Sequence, residues 1–154
     1  MKSRFIFMVA LMVSLNWISS TYAGDTEIDD FFFDGCSSIA PEGTPQDPDM
    51  WCECCLEHDI AYWKGGTWTD RLNADLELKR CVTEKSGCAL IGNTYYLGVR
   101  AGGSPFLNTP YRWGYGWDYG RGYKRMTAAE AVGADEKLQL YMDEYPDPCA
   151  DFAN

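Results

Sequence analysis

Histidine occurs once in this chain, and basic side chains are scarce, 13 lysines and arginines against 23 aspartates and glutamates. With so few cations and no basic stripe, a nucleic-acid partner is excluded on electrostatic grounds. No uninterrupted apolar run reaches the roughly 20 residues of a membrane-spanning helix. Internal repeats, long linkers and low-complexity tracts are also missing, so the 154 residues read as one domain and not several. Any imidazole chemistry must run through His58.

What the chain does have begins with a basic start, Lys2 and Arg4, followed by the apolar run Phe5 to Leu15 and the small residues around Thr21-Tyr22-Ala23. That order predicts a signal peptide over residues 1–23, removed to leave a single domain over 24–154 that is secreted or periplasmic. Without Lys2 and Arg4 the balance is 11 basic to 23 acidic residues, a net charge of about −12. Such a surface repels anionic membranes, so aromatic rings or bound cations must supply any attraction to lipid. All seven cysteines (Cys36, Cys52, Cys54, Cys55, Cys81, Cys88 and Cys149) lie beyond the signal peptide. In an exported chain they read as crosslinks, with one left over.

Residues 25–33 hold four acids and then Phe31-Phe32-Phe33, an acidic leader with an apolar plug, either a short helix or an extended arm. Asp34 to Asp49 carries Gly35, Pro41, Gly43, Pro45 and Pro48, which predicts a structured loop. A first helix is expected from about Pro48 to Trp63 or Lys64, capped by Asp47 or Asp49 and stopped by Gly65-Gly66. Thr69, with Asp70 behind it, reads as the cap of a second helix reaching about Glu84. The short turn between them predicts an antiparallel hairpin. Ala89 to Arg100 is either a third helix or the end of the second, and Thr127 starts a last one through about Glu144. Between these, Pro110 to Tyr123 alternates rings with glycine, a pattern for irregular backbone or a short β-hairpin.

Residues four apart share a helix face, which stacks Cys54, His58 and Tyr62, with Cys55 and Asp59 in an adjoining row. Were Cys54 bridged to Cys81, His58 and Asp75 would lie roughly 6 Å and 9 Å along their helices from the bridge, near enough to meet. A carboxylate on one imidazole nitrogen fixes the tautomer and leaves the other nitrogen as a proton acceptor. Tyr62 can donate to the same carboxylate, while Asp59, about 100° further round the helix, is available to a hard cation with carbonyls from a glycine-containing loop. Other readings compete. Cys52, Cys54, Cys55 and His58 could form a zinc cluster, the cysteines could be purely structural, and Asp75 could be a solvated helix carboxylate. Trp113, Tyr115, Trp117 and Tyr119 suit either a lipid interface or acyl groove, or packing against the hairpin.

The stretch Cys54-Cys55-Leu56-Glu57-His58-Asp59-Ile60-Ala61-Tyr62 resembles the signature of the secreted phospholipase A2 family: two cysteines, two variable residues, His-Asp, and a tyrosine four after the histidine. Asp75, six before Cys81, matches the family's second helix, and Asp34-Gly35-Cys36-Ser37 resembles part of its calcium loop. The likeness covers about 49 of the 154 residues, Asp34 to Val82. The loop is poorer in glycine than the family's, the cysteine expected between Asp59 and Tyr62 is replaced by Ile60-Ala61, and Trp63 to Thr67 looks like a divergent, bacterial-style branch.

The resemblance implies a mainly α fold with a disulfide-crosslinked antiparallel two-helix core of phospholipase A2 type. The irregular Gly/aromatic carboxy-terminal region, Tyr111 to Tyr123 above all, matches nothing in the family pattern and, like the short additional helices, is read from the residues alone. The resemblance also implies His58 as general base, Asp75 and Tyr62 as its supports, and a calcium ion held by Asp59 and the carbonyls of Gly35, Ser37 and Ile39. Bridges Cys54–Cys81 and Cys36–Cys55 follow from the same likeness; Cys52–Cys88 would suit a continued hairpin, with Cys149 competing. The expected activity is calcium-dependent hydrolysis of the sn-2 acyl ester of glycerophospholipids at a membrane or micelle surface. The alternative is a secreted, non-catalytic lipid- or protein-binding module on the same scaffold.

Overall fold

The computed structural model describes residues 27–36 and 40–152. The expected signal peptide over 1–23 lies outside them, as do Ser37 and Ile39. Among the described residues the domain is mainly helical: α1 (Cys52–Lys64), α2 (Trp68–Ser86), α3 (Ala89–Gly102), α4 (Ala128–Glu144) and α5 (Pro148–Phe152). No helix among them is long and apolar enough to cross a membrane.

The first helix starts later than its sequence suggests. Pro48 to Trp51 form turns, and Trp51 is the N-cap without a side-chain hydrogen bond. Trp51 is held there by its own packing: its backbone N–H donates to Glu42 O (2.8 Å) and its indole to Pro41 O (3.0 Å). The cap of α2 is Thr67, not Thr69. Thr67 Oγ1 accepts from Asp70 N, and the Asp70 carboxylate accepts from Thr67 N, a reciprocal capping box that also holds the Asp70 carboxyl below its usual range. Gly87 ends α2 in the left-handed region (φ 66°), which makes α3 a separate helix. Thr127 caps α4 with Glu130 in the same way, as its sequence predicts.

The pairs Cys54–Cys81, His58–Asp75 and Tyr62–Arg71 run up one helix and down the other, so α1 and α2 are antiparallel. The third helix returns along α2, with Gly92 against Lys79 and Thr83 and the Val99 carbonyl against Arg71. Gly92, which weakens the helix signal in sequence, is what permits this approach, because a Cβ there would collide with the Thr83 hydroxyl. Residues 27–33 form the extended arm and not the helix of the two expected alternatives. Ile28, Phe31 and Phe33 are buried, and Phe31 meets Trp63 and Tyr141 edge-on.

Three disulfides tie the domain: Cys36–Cys55, Cys54–Cys81 and Cys52–Cys149. The first two are the pairings the family likeness implies. Of the two partners left open for Cys52, it pairs with Cys149, and Cys88 carries the free thiol. The reason is topological: α5 is brought to the start of α1, whereas Cys88 sits beyond the chain reversal at Gly87. Six oxidised cysteines also rule out a zinc cluster at Cys52, Cys54, Cys55 and His58.

The aromatic–glycine segment is neither a hairpin nor a surface feature as a whole. It receives the end of α1. The last carbonyls of a helix lack intrahelical donors, and here Gly114 N donates to Tyr62 O (2.6 Å), Gly116 N to Trp63 O (3.2 Å) and the Trp117 indole to Lys64 O (2.8 Å). Trp113 donates to Gly66 O, and Trp113 and Trp117 are each only 2% exposed. Buried Arg112 braces the segment from within, donating to the carbonyls of Gly114 and Trp117. Packing against the hairpin is therefore the role of both tryptophans, and the interface reading is left to exposed Tyr119.

Candidate functional site

His58 sits in the middle of α1, buried, with its Nε2 3.1 Å from Asp75 Oδ1. Asp75 is fully buried on α2 and not a solvated helix carboxylate. Tyr62, one turn beyond His58, donates its hydroxyl to the same Oδ1 at 2.7 Å, and its ring lies 4.2 Å from the imidazole centroid. The three residues that sequence spacing nominates thus converge.

Two further residues complete this centre, Arg71 and Arg100. Arg100 Nη1 donates to Asp75 Oδ2 at 2.6 Å from the last turn of α3. Arg71 is 3% exposed; its Nε donates to Tyr62 Oη (3.1 Å), Nη1 to Tyr123 Oη (2.8 Å), and Nη2 to the carbonyls of Val99 (2.9 Å) and Arg100 (3.0 Å). A signal for Arg71 exists in the sequence, since it lies four residues before Asp75 on the same helix face. Arg100 offers none, because its place depends on how α3 docks.

The electrostatics follow from these contacts. Burial works to raise the Asp75 pKa, but hydrogen bonds from His58, Arg100 and Tyr62 overcome it and hold the carboxyl below its usual range. An ionised carboxylate can only accept, so Nε2 carries the ring proton and Nδ1 is left as the acceptor. Burial disfavours charge on His58, yet hydrogen bonding to Asp59 and Asp75 outweighs it and raises the ring's pKa, so Nδ1 is an open acceptor only at a pH above that raised value. A cavity of about 190 Å³ between α1 and α2 reaches His58 and is bordered by Glu57, Ala61, Ala74 and Leu78.

On the Nδ1 side, Asp59 Oδ1 stands 3.9 Å from the ring. Its Oδ2 is buried without a hydrogen-bond partner, and burial pushes the Asp59 pKa up to about 7. Asp34 interacts with it and is itself raised, chiefly by burial. Calcium binding, expected at Asp59 with Gly35, Ser37 and Ile39, requires correction. Among the described residues no group of three or more histidine, cysteine, aspartate or glutamate side chains is placed to hold a metal ion. Gly35 has a different explanation: it adopts φ 76°, and the Glu42 carboxylate lies where a Cβ would project, accepting from Cys36 N at 3.1 Å.

Comparisons with protein-family models, with curated proteins and with solved structures gave no match.

Proposed function

We propose that the chain is an ester hydrolase of the secreted phospholipase A2 type, acting on the sn-2 acyl ester of glycerophospholipids. The observation that carries this reading is the buried His58–Asp75–Tyr62 arrangement, with Nε2 committed to Asp75 and Nδ1 left as the ring's acceptor. In this mechanism Nδ1 takes a proton from water as the water oxygen attacks the ester carbonyl, and the imidazolium formed is stabilised by ionised Asp75. The proton then passes to the departing alkoxide of the glycerol as the tetrahedral intermediate collapses. Asp59, whose pKa burial pushes up to about 7, stands on the Nδ1 side of the ring and in its protonated form would offer a carboxyl O–H to the developing oxyanion. Neither the phospholipase A2 fold nor the lipid surface as partner is needed for the chemistry itself; both rest on the sequence likeness around Cys54 to Tyr62 and Asp75 to Cys81.

Fatty-acid release from mixed phospholipid vesicles tests the reading when wild type is compared with His58→Ala. Release at the sn-2 position that disappears in the variant supports it. Release that survives His58→Ala, or a folded wild type with none, overturns it.

A second reading has one observation in its favour. The lack of a metal-holding side-chain group among the described residues suits a lipid- or protein-binding module that keeps the scaffold without the reaction. Vesicle binding by a chain that releases no fatty acid selects this reading.

A further inference from the structure

Asp75 is a charged group with no exposure, and neutral donors alone do not offset that burial. Transferring an ionised carboxylate out of water is so costly that an unpaired one takes up a proton instead. His58 and Tyr62 contribute neutral donors; the positive charge comes from Arg100, 2.6 Å from Oδ2, and from Arg71 at 3.8 Å. Among the described residues these four side chains, from α1, α2 and α3, are the titratable and charged groups facing Asp75, with Tyr123 reaching it through Arg71.

The protonation state of Asp75 decides which way the imidazole works. Ionised, Asp75 accepts from Nε2–H and Nδ1 is the base. Protonated, it has an O–H that donates to Nε2, the ring proton moves to Nδ1, and the atom that should accept from water is blocked.

We propose that Arg100 is a positioning residue that acts through Asp75: its guanidinium keeps the buried carboxylate ionised, and so holds His58 in the Nε2–H tautomer with Nδ1 as acceptor. The inference rests on the hydrolase reading for its consequence in catalysis, but the tautomer is a property of the resting protein. Arg71 carries more of the fold. Its donors go to Tyr62, Tyr123 and the carboxy-terminal carbonyls of α3, so its removal loosens three elements at once. Arg100 is different. Its side chain is 22% exposed, lies over the half-exposed Trp68 ring, and spends its close ion pair on Asp75.

A single histidine makes the test direct, because nitrogen NMR of histidine-labelled protein reads His58 alone. At a pH above the raised pKa of the ring, where the imidazole is neutral, wild type is expected to show Nε2 protonated and Nδ1 as acceptor. Arg100→Met, which keeps the length and removes the charge, is expected to move the ring to the Nδ1–H form. It should lower kcat about 100-fold with KM within about twofold, the range a misplaced general base produces. Arg100→Lys restores the wild-type tautomer and most of kcat. Should Arg100→Met fail to fold, Arg100→Gln gives the same reading, since it keeps a donor to Oδ2 without charge. A wild-type tautomer in the neutral variant overturns the proposal, as does a lysine variant that behaves like methionine. A wild type with the expected tautomer and no esterase activity overturns the hydrolase reading while leaving the role of Arg100 in place.

Discussion

Two regions grip the same helix and do so by opposite means. Along its side, α1 meets α2 and α3 through side chains: the Cys54–Cys81 bridge, His58 on Asp75, and Tyr62 on Asp75, Arg71 and the Val99 carbonyl of α3. At its carboxy-terminal end, α1 meets the Trp113–Trp117 segment through backbone, with amides of Gly114 and Gly116 on the carbonyls of Tyr62 and Trp63. The side-chain contacts are chemical, and their spacing is periodic. The backbone contacts are hydrogen bonds that need close approach, and glycine permits it by having no Cβ to put in the way. Tyr62 belongs to both regions. Its hydroxyl supports Asp75, its carbonyl is capped by Gly114, and Trp113 packs edge-on against its ring at 5.0 Å. The His58–Asp75–Tyr62 arrangement therefore depends on a segment that adds no side chain to it.

The sharpest break between the regions is activity against stability. His58→Ala is expected to cost about 1000-fold in kcat/KM, equivalent to about 4 kcal/mol, with most of the folding transition retained; vesicle hydrolysis and urea unfolding measure the two. Comparable in size is a pH effect centred on Asp59, whose pKa rises from 3.8 unfolded to about 7 folded, chiefly through burial. The folded form binds more protons between those values, so the contribution is present below pH 3.8 and is lost as pH rises through about 7. The loss amounts to up to about 4 kcal/mol. Asp34 and His58, both raised, add to it with the same sign, whereas Asp75, lowered, loses its contribution only in acid. A thermal midpoint that falls from pH 5 to pH 8 in wild type and falls less in Asp59→Asn is the expected result.

Smaller by a step is Gly116→Val. A Cβ at this position would project into the Trp63 indole, so about 3 kcal/mol of stability should be lost, in the range of overpacked cores. If the variant still folds at 25 °C, the single-histidine nitrogen spectrum should stay close to wild type; a changed tautomer would mean the two grips on α1 are not separable. Least of all, Thr67→Ala should cost about 1 kcal/mol and Thr69→Ala less, because Thr67 is the cap that Asp70 answers.

The hairpin was legible because its information is local. His58, Tyr62 and Asp75 announce themselves by helical spacing and by the cysteines beside them, and the antiparallel turn at Gly65-Gly66 brings them together. Arg71 was legible in principle from its distance of four to Asp75. Arg100 was not, since no spacing within α3 says which end of it will lie against α2. The tryptophans misled for a related reason: an aromatic ring suits a lipid interface and a core equally, and only the direction of each ring separates buried Trp113 from exposed Tyr119. Thr69 outranked Thr67 on paper because a cap is defined by a backbone turn one or two residues wide, finer than the apolar pattern around it.

Periodicity and residue chemistry were enough by themselves to set a helical hairpin and to nominate a lone imidazole and an aspartate within reach of each other, because those depend on neighbours within a few turns of chain. The bridges Cys54–Cys81 and Cys36–Cys55 came from the family likeness. The destination of Cys149, the orphaned end of α1 and the charge that keeps Asp75 ionised were decided in three dimensions. These depend on which distant segment fills a given space, and burial, unlike spacing, is a property of the assembled molecule.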